Sequence, residues 1–262
     1  MKKQLRELNK IISDNKSGSA QILLNLKKHI LKNPDDEDYL RFVITEAENH
    51  LNHFASVKNF LMELKSELKK SDLKQLRLFL ENSILAQTKE TEFLFEKNKK
   101  YLKKFKVLTT LSYSKTLLEI FKLWYKENSS LEIFILESRP MFEGRIFAKE
   151  LIKIGFNCNL VVDAMMNYAV QNSDAVIIGA DQILKNGNVV NKVGSFPLAL
   201  CANVNRKPFI VIATKDKFIN STRFTDSKRP EYEVWNYKHA KIQITNFYFE
   251  EIPAKYISKT IS

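Results

Sequence analysis

The chain has 262 residues, of which 44% are hydrophobic, enough to bury a substantial core and too many for a disordered tail. Forty-two Lys and Arg against 30 Asp and Glu give a net charge of +12, but residues 1–106 carry +7 of it and residues 107–262 carry +5, so the excess is spread along the chain. Two cysteines and four scattered histidines exclude a disulfide framework and a four-ligand zinc site, and the absence of an apolar leader or of an uncharged apolar run of about 18 residues points to a soluble, reducing, cytoplasmic protein with no membrane partner and no metal.

Glycine occurs six times, and only Gly18 precedes residue 140. Glycine marks tight turns and close backbone approaches, so residues 1–105 are expected to form an all-helical part and residues 106–262 a part with many turns. Leu5, Leu8, Ile11 and Ile12 have helical spacing, and Ile22, Leu23, Leu26, Ile30 and Leu31 repeat it. Asn33-Pro34 breaks the chain. A helix is expected from Asp35 to His53, with acidic residues 35–38 at the positive end of its dipole. Others are expected over 55–70, over 72–86 with Ser71-Asp72 as a cap, and over 88–100. The lysine cluster between Lys97 and Lys106 reads best as a solvated helix face.

Beyond residue 106 short apolar runs appear at Val107–Leu111, Leu131–Leu136, Cys158–Val162, Ala175–Ile178 and Pro208–Ala213. Helical patterns lie between them at Lys115–Lys126, Gly144–Ile154, Ala164–Gln171 and Gly194–Val204. Apolar strands alternating with helices predict a parallel sheet covered on both faces. The fold class is therefore α/β, an all-helical N-terminal part followed by a Rossmann-like parallel sheet. Asn157-Cys158-Asn159 is expected to enter an inner strand, and Ile242–Phe249 to supply the last one.

Ligands of such sheets bind beyond the carboxyl ends of the strands. Those ends carry Ser112, Ser114, then Arg139 and Glu143, then Asp163, then Gly179-Ala180-Asp181, and Asn191-Lys192-Val193-Gly194 is expected to open the next helix. Ser112 and Ser114 at a helix start, the Arg139 fork and the Lys192 point charge suit phosphate. Asp181 suits acid/base work, and Asn191 suits a hydroxyl or Asp181 itself. Each also has a structural reading. The serines and Asp163 would cap helices, Arg139 would pair with Glu137 or Glu143, and the glycines would only turn the chain.

The run Glu137-Ser138-Arg139-Pro140 through Glu143-Gly144, then Asp163, Gly179-Ala180-Asp181 and Asn186-Gly187 through Asn191-Lys192-Val193-Gly194, resembles the initiation factor 2B alpha/beta/delta-like family. That family also contains ribose-1,5-bisphosphate and methylthioribose-1-phosphate isomerases. Lys207-Pro208-Phe209-Ile210-Val211 with Lys217-Phe218, and Asn246-Phe247-Tyr248-Phe249-Glu250 with Pro253, are similar to further family motifs. Lys16-Ser17-Gly18-Ser19-Ala20 resembles its early phosphate-binding loop without the arginine. The resemblance implies a cofactor-free aldose–ketose isomerase or a regulatory subunit, and dimer formation through the C-terminal part. It makes Asp181 the acid/base aspartate, in an apolar pocket that would raise its pKa. It puts Ser112 where the isomerases have their catalytic cysteine, and Gly18 and Ser19 near the phosphate. Tyr113-Ser114-Lys115 is similar to the regulatory alpha-type subunits. The reading is thus an alpha-subunit-like protein that binds a phosphorylated sugar or nucleotide without full isomerase chemistry. The alternative is an isomerase using Asp181, and a nucleic-acid role ranks last.

Overall fold

The computed structural model describes every residue except Met1, Asn15, Lys16, Asp35, Ser71 and Asn128. The expectations placed on Lys16, Asp35 and Ser71 lie outside the described residues.

Five helices open the chain: α1 (Lys2–Ile12), α2 (Ser19–Leu31), α3 (Glu37–Leu51), α4 (Ala55–Leu68) and α5 (Leu73–Leu102). Their apolar residues fall on inward faces, as Ile22, Leu23, Leu26 and Ile30 do on α2. Asp36 and Asp72 cap α3 and α5, accepting from the backbone N–H of Tyr39 and Gln75 at 2.9 Å each. The expected break between two helices near residue 87 is absent, and α5 runs unbroken for 30 residues, about 45 Å. No glycine, proline or cap interrupts it there. The lapse in its apolar pattern is instead a polar contact, with the Gln87 amide donating to the Ala20 carbonyl at 3.0 Å. Leu76 and Leu80 of α5 join the helical core, while Leu94, Phe95 and Leu102 pack into the core under the sheet.

The main sheet holds β1 (Val107–Leu111), β2 (Glu132–Leu136), β3 (Asn157–Val161), β4 (Ala175–Ile178), β7 (Phe209–Ile212) and β9 (Lys259–Ile261). Its order is β3-β2-β1-β4-β7-β9 and every pairing is parallel. The chain winds outward from β1 in one direction and from β4 in the other, so the topological switch point lies between β1 and β4. Helices α6 (Lys115–Glu127) and α7 (Glu143–Ile154) cover one face, with Ile133 and Ile135 turned toward them. Helices α8 (Met166–Gln171) and α9 (Ser195–Val204) cover the other, with Phe134 and Leu136 turned that way. This alternation is the period-2 pattern of a strand buried on both faces.

A small antiparallel sheet stands beside it, in the order β5 (Gln182–Ile183), β6 (Val189–Lys192), β8 (Phe249–Ile252). Three expectations change. The strand containing Cys158 is the edge of the main sheet, not an inner strand, and is partly exposed along its length. Asn191 and Lys192 end strand β6; α9 begins after the left-handed Gly194. Of Ile242–Phe249 only Phe249 is in a strand, β8, because Ile242 and Phe247 face solvent and residues 242–247 run irregularly over the surface. The last strand of the main sheet is the three-residue β9, too short to stand out by pattern.

Candidate functional site

A cleft of about 930 Å³, mouth included, opens where β1 and β4 end. That is at the switch point, where the ligands of open parallel sheets bind. Ser112–Thr116 and Gly179–Asp181 form its floor, while Asn191, Lys192, Tyr248 and Phe249 form the side made by the small sheet. The helical part closes it with the start of α2 and with His50, His53 and Phe54. Close packing requires two of the glycines. A Cβ on Gly179 would stand 2.6 Å from the Ser114 hydroxyl, and one on Gly144 would stand 1.8 Å from the Leu136 carbonyl oxygen.

Asp181 reaches into the cleft and accepts a hydrogen bond from the Ser19 hydroxyl at 2.9 Å. Ser19 in turn accepts from the Lys217 ammonium, which also lies 3.4 Å from the Ser56 hydroxyl. Lys217 is only 2% exposed. A cation, a hydroxyl and a carboxylate therefore form a relay from 3 distant parts of the chain. The surroundings of Asp181 are polar, not the apolar pocket expected.

A second charged pair lies opposite. Glu143, in the first turn of α7, meets Lys192 at 2.5 Å, and both side chains are buried. The Lys192 ammonium also sits 4.4 Å over the Tyr248 ring and 5.2 Å over that of Phe249. Glu143 Oε2 is buried without a hydrogen-bond partner. Arg229 stacks on the other contact of Tyr248, 4.7 Å from its ring centre, and lies 3.6 Å from Asp226. Its Nε and Nη2 lack hydrogen-bond partners. The Tyr248 hydroxyl donates to Glu233 at 2.6 Å, and burial with that carboxylate pushes its pKa up. His53 packs its ring on Phe54 at 4.0 Å and Phe249 at 6.0 Å. Burial, then the Arg229 charge, holds its pKa down to about 4.

The remaining expected site residues divide. Ser114 lines the cleft and caps α6, its hydroxyl accepting from Leu117 N at 3.3 Å. Ser112 lines it in the left-handed region, φ 65°, with its N–H donating to the Ser138 hydroxyl at 2.8 Å. Among the described residues no general base is hydrogen-bonded to the Ser112 hydroxyl. Gly18 is the N-cap of α2 at an ordinary φ of −68°. Asn191 faces the cleft with its amide donating to Ser195 at 2.9 Å, which fixes the start of α9.

Arg139 does not reach the cleft. Its guanidinium donates to the Val234 carbonyl at 2.9 Å and stacks 4.8 Å from the Phe142 ring centre. Glu137 pairs with Arg145 instead, at 2.5 Å. Asp163 lies outside the cleft lining and does not cap α8. Its carboxylate accepts from the N–H groups of Ser138 and Arg139 at 2.8 and 2.7 Å and so fixes the turn that sends Arg139 outward.

Cys158 and Cys201 lie outside the cleft, with burial pushing the Cys158 thiol up to about 11 and raising that of Cys201. Among the described residues no cluster of His, Cys, Asp and Glu suits a metal, and no helix is long and apolar enough to cross a membrane.

Lys217, Arg229 and His53 were not singled out by the sequence as site residues. Lys217 follows β7 and so obeys the strand-end rule. Arg229 and His53 carry no local signal.

A model described as the Initiation factor 2 subunit family matches residues 5–262. A ribose 1,5-bisphosphate isomerase of Archaeoglobus fulgidus is 28% identical over 281 aligned residues, covering 100% of this chain and 88% of that protein. A protein of the same name from Methanocaldococcus jannaschii is 34% identical over 155 residues, covering 57% of this chain, and the match spans only half of that protein's length. Among solved structures, a translation initiation factor eIF-2B from Pyrococcus horikoshii superposes with a TM-score of 0.83 over 100% of this chain and 95% of that one. Its identity is 24%, so it speaks for the fold alone.

Proposed function

The chain belongs to the Initiation factor 2 subunit family, and on that premise we propose that it binds a phosphorylated sugar or nucleotide in the switch-point cleft without full isomerase chemistry. The observation that carries this reading is a cleft rich in cations and hydroxyl acceptors with no thiol in its lining. Lys217 and Arg229 supply charge for phosphate oxygens, with the free N–H groups at the starts of α2 and α6 beside them. Asp181 and the unpartnered Glu143 Oε2 accept hydroxyl protons of the sugar. Ser112 takes no proton, because its hydroxyl has no base beside it.

Asp181 in the cleft, with Ser19 orienting it, favours a second reading as an aldose–ketose isomerase like the relatives named above. Proton transfer by a positioned carboxylate is worth about 10²–10⁴-fold. Ribose 1,5-bisphosphate separates the readings. We expect it to raise the unfolding temperature of the protein, and Arg229→Ala to weaken its binding about 10- to 100-fold, the worth of one charge-assisted contact. We expect no ketose product above that of Asp181→Asn. Ketose formed by the native chain and abolished in Asp181→Asn would replace the first reading with the second. Absence of binding would remove both.

The same reading extends to assembly as a homodimer through the sheet part. Strand β3 is an open edge with Leu160 exposed, and Val162 and Tyr168 expose apolar surface next to it. Light scattering is expected to give twice the chain mass, and a monomer would refute the assembly claim alone.

A further inference from the structure

One cleft residue is used by neither reading. His53 stands between α3 and α4, with its backbone carbonyl accepting from the Gln182 amide at 2.6 Å and its ring held by Phe54 and Phe249. The backbone and the two rings fix where the imidazole sits. Its nitrogens remain free to act. Among the described residues neither has a hydrogen-bond partner, and neither is sealed from the cleft.

The charges around it are unequal. Arg229 and Asp226 face it from the loop before β8, and Lys192 faces it from β6. Asp226 is partly occupied, because its other oxygen accepts from the N–H groups of Tyr248 and Phe249 at 2.9 Å. Lys192 is paired with Glu143. From β8, Glu250 turns away to accept from the N–H of Phe196 at the start of α9. His50, one turn earlier, also lines the cleft but is exposed. Asp181 is across the cleft, on Ser19. Of these charges Arg229 acts on the imidazole more strongly than Asp226, and Lys192 adds to Arg229, which favours the neutral ring. A phosphate dianion entering between Arg229 and the ring reverses that balance and favours the imidazolium.

We propose that His53 is a ligand-contacting residue of this cleft, and that its imidazole takes up a proton from solvent as a phosphorylated ligand binds. The proposal rests on the reading that the cleft takes such a ligand. It adds that binding is linked to protons through one named side chain. A neutral imidazole offers one donor and one acceptor; the imidazolium offers two donors to an anion. Linkage then requires tighter binding as the pH falls toward the titration of the complex.

The protein labelled at the histidine ring carbon would show four histidine signals, and His53→Gln identifies one by its loss. Should that variant not fold, exchanging His29, His50 and His239 in turn identifies the fourth by elimination. In the free protein we expect the His53 signal not to titrate above about pH 5. With saturating ribose 1,5-bisphosphate its midpoint should move up by more than about one pH unit, a tenfold change in proton affinity. The affinity ratio of the native chain to His53→Gln should grow as the pH falls from 7.5 to 5.5, about fourfold for a midpoint in the complex near 6. A His53 midpoint that stays put while ligand binding is seen by calorimetry overturns this inference and leaves the cleft reading standing. Absence of any ligand binding overturns both. A merely structural histidine would lower affinity equally at every pH.

Discussion

Lys192→Met is expected to lower the free energy of unfolding by about 3–5 kcal/mol, the usual consequence of stranding one partner of a buried ion pair. The Lys192 ammonium is 2.5 Å from Glu143 Oε1, with side-chain exposures of 8% and 5%. The Glu143 carboxylate already has one buried oxygen without a hydrogen bond. Methionine keeps an unbranched side chain of similar length, so no large cavity opens and the loss comes from the carboxylate left without its cation. Urea unfolding of the single variant measures it. The companion double variant, Lys192→Met with Glu143→Leu, removes both charges and should recover most of the loss, since well-packed apolar pairs often replace buried ion pairs at little cost. Glu143→Leu alone should cost less than Lys192→Met, because the stranded ammonium keeps two aromatic faces. A single variant within about 1 kcal/mol of the native chain would mean that water or a rearrangement reaches Glu143.

Gly144→Ala is expected to be at least as damaging, above about 4 kcal/mol, although it adds one methyl group. The new Cβ would stand 1.8 Å from the Leu136 carbonyl oxygen, 2.9 Å from its carbon and 3.0 Å from that of Glu137. These are backbone atoms at the end of β2, which is paired on both sides, so no rotamer change makes room. Either α7 lifts, carrying Glu143 from Lys192, or β2 shifts and pulls the Ser138 hydroxyl from Ser112. Gly187→Ala is the control. Gly187, unlike Gly144, has a positive φ, +83°, and a Cβ there meets only the Ala254 methyl at 3.4 Å. Its cost should be about 1–2 kcal/mol, that of a left-handed alanine. Thermal or urea denaturation of the pair separates steric exclusion from dihedral strain, and equal costs would refute the distinction.

Much of this arrangement was readable from residue order. Apolar runs alternating with amphipathic segments predict strands and helices whatever their neighbours, and the strand-end rule led to Asp181, Asn191 and Lys192 in the cleft lining. The rule misplaced Arg139 because it does not say how the chain leaves a strand. At β2 the left-handed Ser138 and the Asp163 carboxylate turn it outward. The order of strands also lies beyond local pattern, so the sequence places the Cys158 strand inside a sheet whose edge it forms. His53 and Arg229 escaped notice for a related reason. Each sits in a connecting segment, and only packing brings the two against Tyr248 and Phe249. The alternating run at 242–247 shows the converse, where a strand-like pattern has no strand beside it to pair with.

The relay from Lys217 through Ser19 to Asp181 has a consequence for the order of folding. Its two hydrogen bonds close loops of 162 and 198 residues. Closing such loops costs entropy that local helices and neighbouring strands need not meet first. A chain with β1, β4 and their helices already in place still has only half a cleft, with a buried-type lysine and an aspartate facing water. Ligand recognition is therefore a property of the last docking step, when the start of α2 lands on the sheet. It tracks the meeting of the chain's two ends more than the completion of either.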